Sequence, residues 1–119
     1  MAKNELRTTT VTIGAGASLS GATIDLDTLG LPVAVITDAA WDTQAMTFQG
    51  SVDGATFGNL YKESTEYSLT GVTASTFHSL DQQAFFGVSH LKIRSGTAAA
   101  AANQVDATVI KLVCWHVDD

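Results

Sequence analysis

The chain is short of charge, and the charge it has is mostly of one sign. Only 15% of its 119 residues are charged; six are Lys or Arg and 12 are Asp or Glu, which gives a net charge of -6. Proteins that bind nucleic acid need clustered cations to displace the counterions of the phosphate backbone. We therefore expect no nucleic-acid partner.

Cysteine and long apolar runs are also scarce. Cys114 is the only cysteine, which excludes an intramolecular disulfide and favours folding in a reducing compartment. Within an apolar strand its thiol is most simply a core residue, and a reactive thiol is the alternative. The N-terminal residues have no apolar run of signal-peptide length, and no window approaches the roughly 18 apolar residues of a membrane span. We expect synthesis and folding in a cytoplasm, and no membrane partner.

Short segments rich in Thr, Val and Ile are abundant, and Gly, Asn, Asp and Ser clusters separate them. Such segments predict strands, and short strands at this spacing are typical of an antiparallel sandwich or barrel with little helix. The only proline, Pro32, stands where a strand would begin, which is a tolerated position. The predicted strands cover residues 9–13, 18–26, 33–37, 45–52, 56–61, 67–72, 84–88, 90–94 and 107–117.

A hairpin is the clearest local signal. Met46, Phe48 and Val52 fall on alternate positions with polar residues between them, as in a half-buried strand. Asp53 and Gly54 then favour a two-residue turn, because both tolerate positive φ. The pattern predicts pairing of residues 46–52 with residues 56–61.

The last predicted strand is apolar on both faces. Ile110, Leu112 and Cys114 form one face, and the opposite face carries apolar residues around a single lysine. Those outer residues are Val109, Lys111, Val113, Trp115 and Val117. A strand of this kind is buried on both sides, either under a loop of its own chain or under a second subunit or partner.

The domain organisation follows from the polarity of the N-terminus. Residues 1–9 are polar and mixed in charge, so we predict a flexible arm there. Residues 10–119 suffice for one core and are predicted to form a single β-domain. A flexible arm can become ordered on a neighbouring molecule.

No motif for catalysis, metal or cofactor binding stands out. Cys114 and His116 could share a strand face, but two ligands do not make a zinc site. No nucleophile motif places a Ser or His, and the paired acids fall at expected strand ends. We predict no enzymatic activity, no metal and no cofactor. Aromatic rings offer sugar stacking as an alternative function; the candidates are Trp41, Tyr61, Phe86 and Trp115.

Several short segments of the sequence, taken in order, resemble a known family. The chain from about residue 18 to 113 is similar to small virion proteins of tailed bacteriophages, which are encoded among head genes. The resemblance is carried by Pro32, then Ala39-Ala40-Trp41, Met46-Thr47-Phe48-Gln49, Ser51-Val52-Asp53-Gly54 and Asn59-Leu60-Tyr61, followed by Leu91-Lys92-Ile93-Arg94-Ser95-Gly96-Thr97 and Asn103-Gln104. The Ser-x-Asp-Gly hairpin also recurs in discoidin-like and carbohydrate-binding jelly rolls. The five-alanine run at residues 98–102 departs from the family pattern.

The resemblance implies a β-sandwich of jelly-roll type that decorates or cements the outer surface of a capsid. The expected partner is the major capsid protein, and the expected location is the exterior of the virion. Self-association is also expected, as a trimer first and a dimer second. The alternatives are a carbohydrate-binding module of a head or tail fibre and a structural component of the tail or neck.

The expected contact elements are Trp41, the loop 96–103 and the arm 2–9. Trp41 lies in a loop, so its ring either meets a partner or folds back over the edge of the sandwich. Lys92 and Arg94 either form a solvated strand face or pair with an acidic shell subunit. The full set of predicted contact residues is Trp41, Lys92, Arg94, Gly96, Thr97, Ala100, Asn103 and Trp115.

Overall fold

Antiparallel strands make up most of the structure, a computed structural model that describes residues 3–118. Two short helical turns interrupt them. The strands are β1 Lys3–Ile13, β2 Ile24–Asp25, β3 Leu31–Thr37, β4 Gln44–Ser51, β5 Gly58–Asn59, β6 Tyr61–Lys62, β7 Thr65–Glu66, β8 Ser68–Val72, β9 Phe77–Ser79, β10 His90–Ser95 and β11 Thr108–Asp118. The helical turns are α1 Leu26–Leu29 and a 3₁₀ turn over Gln82–Phe85.

Nine of the described strands form two main sheets with interleaved connections, and β6 and β7 pair with each other as a separate two-stranded sheet. The first sheet has the order β1-β11-β3-β9, and the second has the order β2-β10-β4, with β5 and β8 both paired with β4. The chain therefore alternates between the sheets at β1, β2, β3 and β4, and again at β8, β9, β10 and β11. This is the strand order of a jelly roll. The predicted all-β antiparallel sandwich is confirmed.

β11 lies in the middle of the first sheet, between β1 and β3. Its predicted inner face is confirmed, because Ile110, Leu112 and Cys114 are fully buried against the second sheet. On the outer face Trp115 and Val117 are exposed, so the alternative in which a loop of the described chain covers that face is wrong. The facing residues of the second sheet include Phe48, Leu91 and Ile93, which are also fully buried. Alternation with a period of two residues thus places one apolar set of β11 in the core and the other set on the outside.

The predicted hairpin exists, but its turn is longer than two residues. Met46 and Phe48 are fully buried, as predicted, and β4 pairs with β5. The chain reverses through residues 52–57, where the Asp53 carboxylate accepts hydrogen bonds from the amides of Ala55 and Thr56 at 2.9 Å. Val52 follows the end of β4 and is exposed, so its predicted place on the buried face is wrong. Side chain to backbone hydrogen bonds favour a wider loop than the two-residue turn that Asp-Gly alone suggests.

The predicted flexible arm at residues 1–9 is wrong wherever the structure describes it. β1 begins at Lys3 and pairs with β11 without a break in register, from Lys3 opposite Asp118 to Ile13 opposite Thr108. Only residues 1 and 2 of the arm lie outside the described residues. The N-terminal half of this strand has polar residues on both faces, so its sequence shows no strand pattern. Backbone pairing with β11, and not burial of side chains, holds this half in place.

Two predicted strands are mostly not strands: residues 18–26 are largely loop before β2, and residues 84–88 begin within the 3₁₀ turn. An aspartate starts the helical turn beside each segment. The segment 18–26 contains only the two-residue β2, and Asp25 then caps α1 by accepting from the amide of Asp27 at 3.0 Å. In the segment 84–88, Asp81 likewise caps the 3₁₀ turn through the amide of Gln83. Aspartate at an N-cap satisfies amides that a strand would leave unpaired at these short connections.

Deletion of residues 1–9 tests the corrected assignment of β1. We expect the truncated chain to lose at least about 3 kcal/mol of unfolding free energy, because each lost hydrogen bond contributes about 1 kcal/mol. Urea denaturation followed by circular dichroism measures the loss. The full-length variant Leu6→Ser is the control, since Leu6 is exposed and its replacement leaves the backbone pairing intact. Equal stability of the truncated and full-length chains would contradict the assignment.

Candidate protein-binding surface

The outer face of the second sheet is polar and partly covered by its own chain. His90, Lys92 and Arg94 share this face of β10, as predicted. The excursion formed by β5, β6 and β7 supplies Asn59 and Glu66, whose side chains reach Arg94. This face is therefore closed around Arg94 by residues of the same chain.

Arg94 is buried in a complete network, so the predicted ion pair with a shell subunit is wrong for this residue. Its Nε donates to Thr47 Oγ1 at 2.9 Å, and its Nη1 donates to Asn59 Oδ1 at 2.9 Å. Its Nη2 donates to Glu66 Oε2 at 2.8 Å, and only 7% of the side chain is exposed. The sequence placed Arg94 on the correct face but carried no signal that the excursion covers it.

Lys92 remains at the surface beside this network. Its Nζ lies 4.6 Å from the centre of the Phe57 ring, which is within the range of a cation–π contact. The side chain is only partly buried. Lys92 and Arg94 are thus two residues apart on one strand face but differ in accessibility.

The loop 96–103 is a tight turn anchored to the same network. Gly96 is buried and has φ of +87°, and a Cβ there would lie 2.5 Å from the Ala102 nitrogen. Glycine is required at that position by the conformation and by the close approach of backbone. The prediction of Gly96 as a partner contact is therefore wrong. The amide of Ala98 donates to Glu66 Oε2 at 3.0 Å, which ties the loop to the Arg94 network.

The rest of this loop reaches the surface. Thr97 Oγ1 accepts from the amide of Ala100 at 3.1 Å and so holds the turn closed. Ala100 and Asn103 are exposed. Their predicted role as contact residues stays a prediction.

Trp41 is a core residue, so its predicted role in partner binding is wrong. Only 3% of it is exposed, and its indole Nε1 donates to the carbonyl of Val72 at 2.9 Å. The ring folds back onto its own chain, as in the alternative, but it lies within the hydrophobic core and not over the edge of the sandwich. An indole has a large apolar area and one hydrogen-bond donor; here the apolar area is buried and the donor has an acceptor.

The outer face of the first sheet is open and apolar. Trp115, on β11, lies directly opposite Leu6 of β1, and Phe77 of β9 lies opposite Ile36 of β3. We use the term apolar face for the exposed apolar residues of this sheet surface. They are Leu6, Phe77, Val109, Trp115 and Val117.

The apolar face has threonines and one cation between its apolar side chains. Lys111 lies opposite Thr10 near the middle of the β1–β11 pair, and both are exposed. Ile36 and Val109 line a shallow depression beside them. Trp115, the one predicted contact residue of this sheet, lies here, on the opposite side of the sandwich from Lys92.

Three side chains of reactive types have structural roles in this fold. Burial raises the pKa of the Cys114 thiol to about 11, so it stays protonated and is a poor nucleophile at neutral pH. Asp25 caps α1, and Glu66 pairs with Arg94. Within residues 3–118, no three His, Cys, Asp or Glu side chains come together as a metal site.

Comparisons with protein-family models, curated proteins and solved structures find no match to this chain. Over the part of the chain that the structure describes, no helix has the length and apolar character to cross a membrane.

Arg94 and Lys92 form a matched pair for testing the buried network. We expect Arg94→Ala to lower the unfolding free energy by about 3–5 kcal/mol, because it leaves the largely buried Glu66 carboxylate without its cation. Lys92→Ala should cost no more than about 1 kcal/mol, the value of an exposed cation–π contact. Urea denaturation of both variants measures the difference. Similar decreases in the unfolding free energy of the two variants would contradict the buried hydrogen-bond network of Arg94.

Three aspartates predict acid sensitivity. Hydrogen bonds from the amides of Thr56 and Ala55 and the Ser51 hydroxyl lower the pKa of Asp53 to about 2. A hydrogen bond from Lys62 and the Gln83 amide lower the pKa of Asp81. For Asp38, burial raises the pKa, but hydrogen bonds from Thr108 and backbone amides outweigh it and the pKa is lowered.

Each of these carboxylates binds protons more readily in the unfolded chain than in the folded chain. The contribution of these three carboxylates to stability should therefore be constant above about pH 5 and fall as the pH drops from about 4 to about 2. Urea midpoints measured across this range should show the fall. In Asp53→Asn the fall should be shallower, because one titrating group is gone; an unchanged slope would contradict the role of Asp53.

Proposed function

We propose that this protein is a virion structural protein of a tailed bacteriophage that binds the outer surface of the capsid and bridges major capsid subunits. The resemblance of its hairpin and β10 blocks to small phage virion proteins supports the proposal. The jelly-roll strand order agrees with the fold that the resemblance implies. The apolar face is the observation that carries the proposal.

The apolar face has several large exposed apolar side chains on one sheet surface, whereas exposed apolar residues of most proteins are scattered singly. Leu6 is 61% exposed, Val117 59% and Phe77 66%, and all are on one sheet surface. The largest apolar patch of a typical monomer covers about 300–600 Å² and is often functional. Aromatic residues such as Trp115 are enriched where proteins meet. A protein surface is therefore the partner that this face fits best.

The face is also rigid, which reduces the cost of binding. Its residues lie on β1, β9 and β11, and β11 is hydrogen-bonded to strands on both sides. Side chains on a paired strand lose less freedom on binding than side chains on a loop. A cement protein that makes many equivalent contacts on a symmetric shell needs only modest affinity at each, because later contacts become effectively intramolecular.

The charge distribution suits an outer position. The net charge of -6 would repel packaged nucleic acid, so the inside of a filled capsid is unfavourable. On the apolar face, Lys111 is an exposed cation. It would favour a partner surface that is mostly apolar and carries a carboxylate near its centre.

Binding to shells tests the proposal. Wild-type protein, mixed with shells assembled from the major capsid protein of the genome that encodes it, should co-sediment with them. We expect Trp115→Ser to weaken binding about 30-fold, because a buried tryptophan anchor contributes 2 kcal/mol or more. The control is Tyr61→Ser, which removes an exposed aromatic ring from the excursion of the second sheet.

Two results would reject the proposal in different ways. If wild-type protein fails to co-sediment with shells, the capsid is not its partner. If it binds but Trp115→Ser and Tyr61→Ser bind equally well, the apolar face is not the binding surface. Circular dichroism of each variant confirms that the fold is retained.

A further inference from the structure

β1 is a long strand at the edge of the first sheet. It runs from Lys3 to Ile13 and pairs with β11 on one side only. Edge strands present a row of backbone donors and acceptors to the outside, and proteins usually shorten or bend them, interrupt them with proline or place charged side chains on them. β1 has no proline, and its register with β11 is unbroken. It is a regular template for another strand.

The hydrogen bond at one end of β1 shows which backbone groups point outward. The carbonyl of Thr12 accepts from the amide of Gly21 at 3.2 Å, so it points away from β11. Because the direction alternates along an antiparallel strand, the backbone groups of Asn4, Leu6 and Thr8 point outward too. Residues 22–29 lie beside Thr9, Thr10 and Val11 and flank that part of the edge. The open part is residues 4–8.

We propose that the open edge of β1 pairs antiparallel with the same strand of a second copy of this chain, with Leu6 on the two-fold axis. Outward-pointing residues must pair with outward-pointing residues, so only a few registers are possible. With Leu6 opposite Leu6, Asn4 lies opposite Thr8, and Glu5 of each chain lies opposite Arg7 of the other.

Charge selects this register over its neighbours. A shift by two residues in one direction places Glu5 opposite Glu5, and a shift in the other direction places Arg7 opposite Arg7. Like charges directly opposite on neighbouring strands are destabilising, whereas opposite charges are stabilising. Within one chain, Arg7 Nη2 already donates to Glu5 Oε1 at 3.0 Å, and Arg7 Nη1 donates to the carbonyl of Thr28 at 2.7 Å. In the dimer these four side chains form one alternating cluster across the axis.

The pairing joins the two four-stranded sheets into one continuous sheet of eight strands. It also brings the Leu6 and Trp115 side chains of both copies onto one outer surface, because these residues lie opposite each other on the same face. The contact is small compared with the roughly 800 Å² per partner of a standard interface. We therefore expect a dissociation constant in the micromolar range. The inference does not depend on the proposed function.

Cysteine cross-linking tests the register. In an antiparallel hydrogen-bonded pair the Cα atoms are about 5.5 Å apart, which is within the range that a disulfide bridges. Leu6→Cys should therefore give a covalent dimer within minutes of mild oxidation, seen on a non-reducing gel. Thr12→Cys is the control: position 12 is exposed on the same strand, but the two copies would be about 40 Å apart. Cys114 is buried and does not compete.

Charge reversal provides a second test without cross-linking. Sedimentation equilibrium of the wild type, without shells, should show a shift from the 12.4 kDa monomer to twice that mass as the concentration rises through the micromolar range. Glu5→Arg and Arg7→Glu should each weaken the dimer at least tenfold, and the double variant E5R/R7E should recover it. Lys111→Glu has the same charge change as Arg7→Glu and should leave the dimer intact.

The proposal fails if the wild type remains a monomer to several hundred micromolar, or if it forms a trimer. It also fails if Leu6→Cys and Thr12→Cys cross-link equally, or if the double variant does not recover association. Since these measurements contain no capsid shells, their result is separate from that of the shell-binding experiment.

Discussion

Pairing of β11 with β1 on one side and β3 on the other is the interaction on which the rest of the structure depends. β11 contributes fully buried side chains to the core and hydrogen bonds to both neighbours. β1 and β3 both come from the N-terminal third of the chain and β11 is the last described strand, so this pairing closes the fold. It also fixes the apolar face, because the residues between the buried ones must point outward.

The outer surfaces of the two sheets differ because the excursion formed by β5, β6 and β7 covers only the second sheet. The excursion between β4 and β8 covers part of the second sheet and completes the hydrogen bonds of Arg94. On the first sheet, Trp115 and Leu6 stay exposed. Arg94 is therefore buried, whereas apolar residues of the first sheet are exposed. Because exposed apolar surface often marks a binding site, the apolar face is the candidate binding surface.

Sequence reasoning succeeded where a short pattern determines the outcome and failed where a distant segment does. The alternation in β11 and in the first half of the hairpin predicted the buried residues correctly. It found residues 9–13 of β1 but missed the N-terminal part of that strand, residues 3–8, because a segment held by pairing needs no apolar pattern of its own. It also failed for Trp41 and Arg94, whose burial depends on Val72 and Glu66 far along the chain. Neither contact leaves a local signal.

The sequence by itself determined the all-β class, the faces of β11 and the absence of a disulfide, since these follow from strand periodicity and from a single cysteine. Tertiary structure decided which polar residues are accessible and which sheet carries an open apolar face. The physical reason is that exposure is a property of the assembled sandwich: the same Lys-x-Arg strand pattern has one cation at the surface and one beneath the excursion.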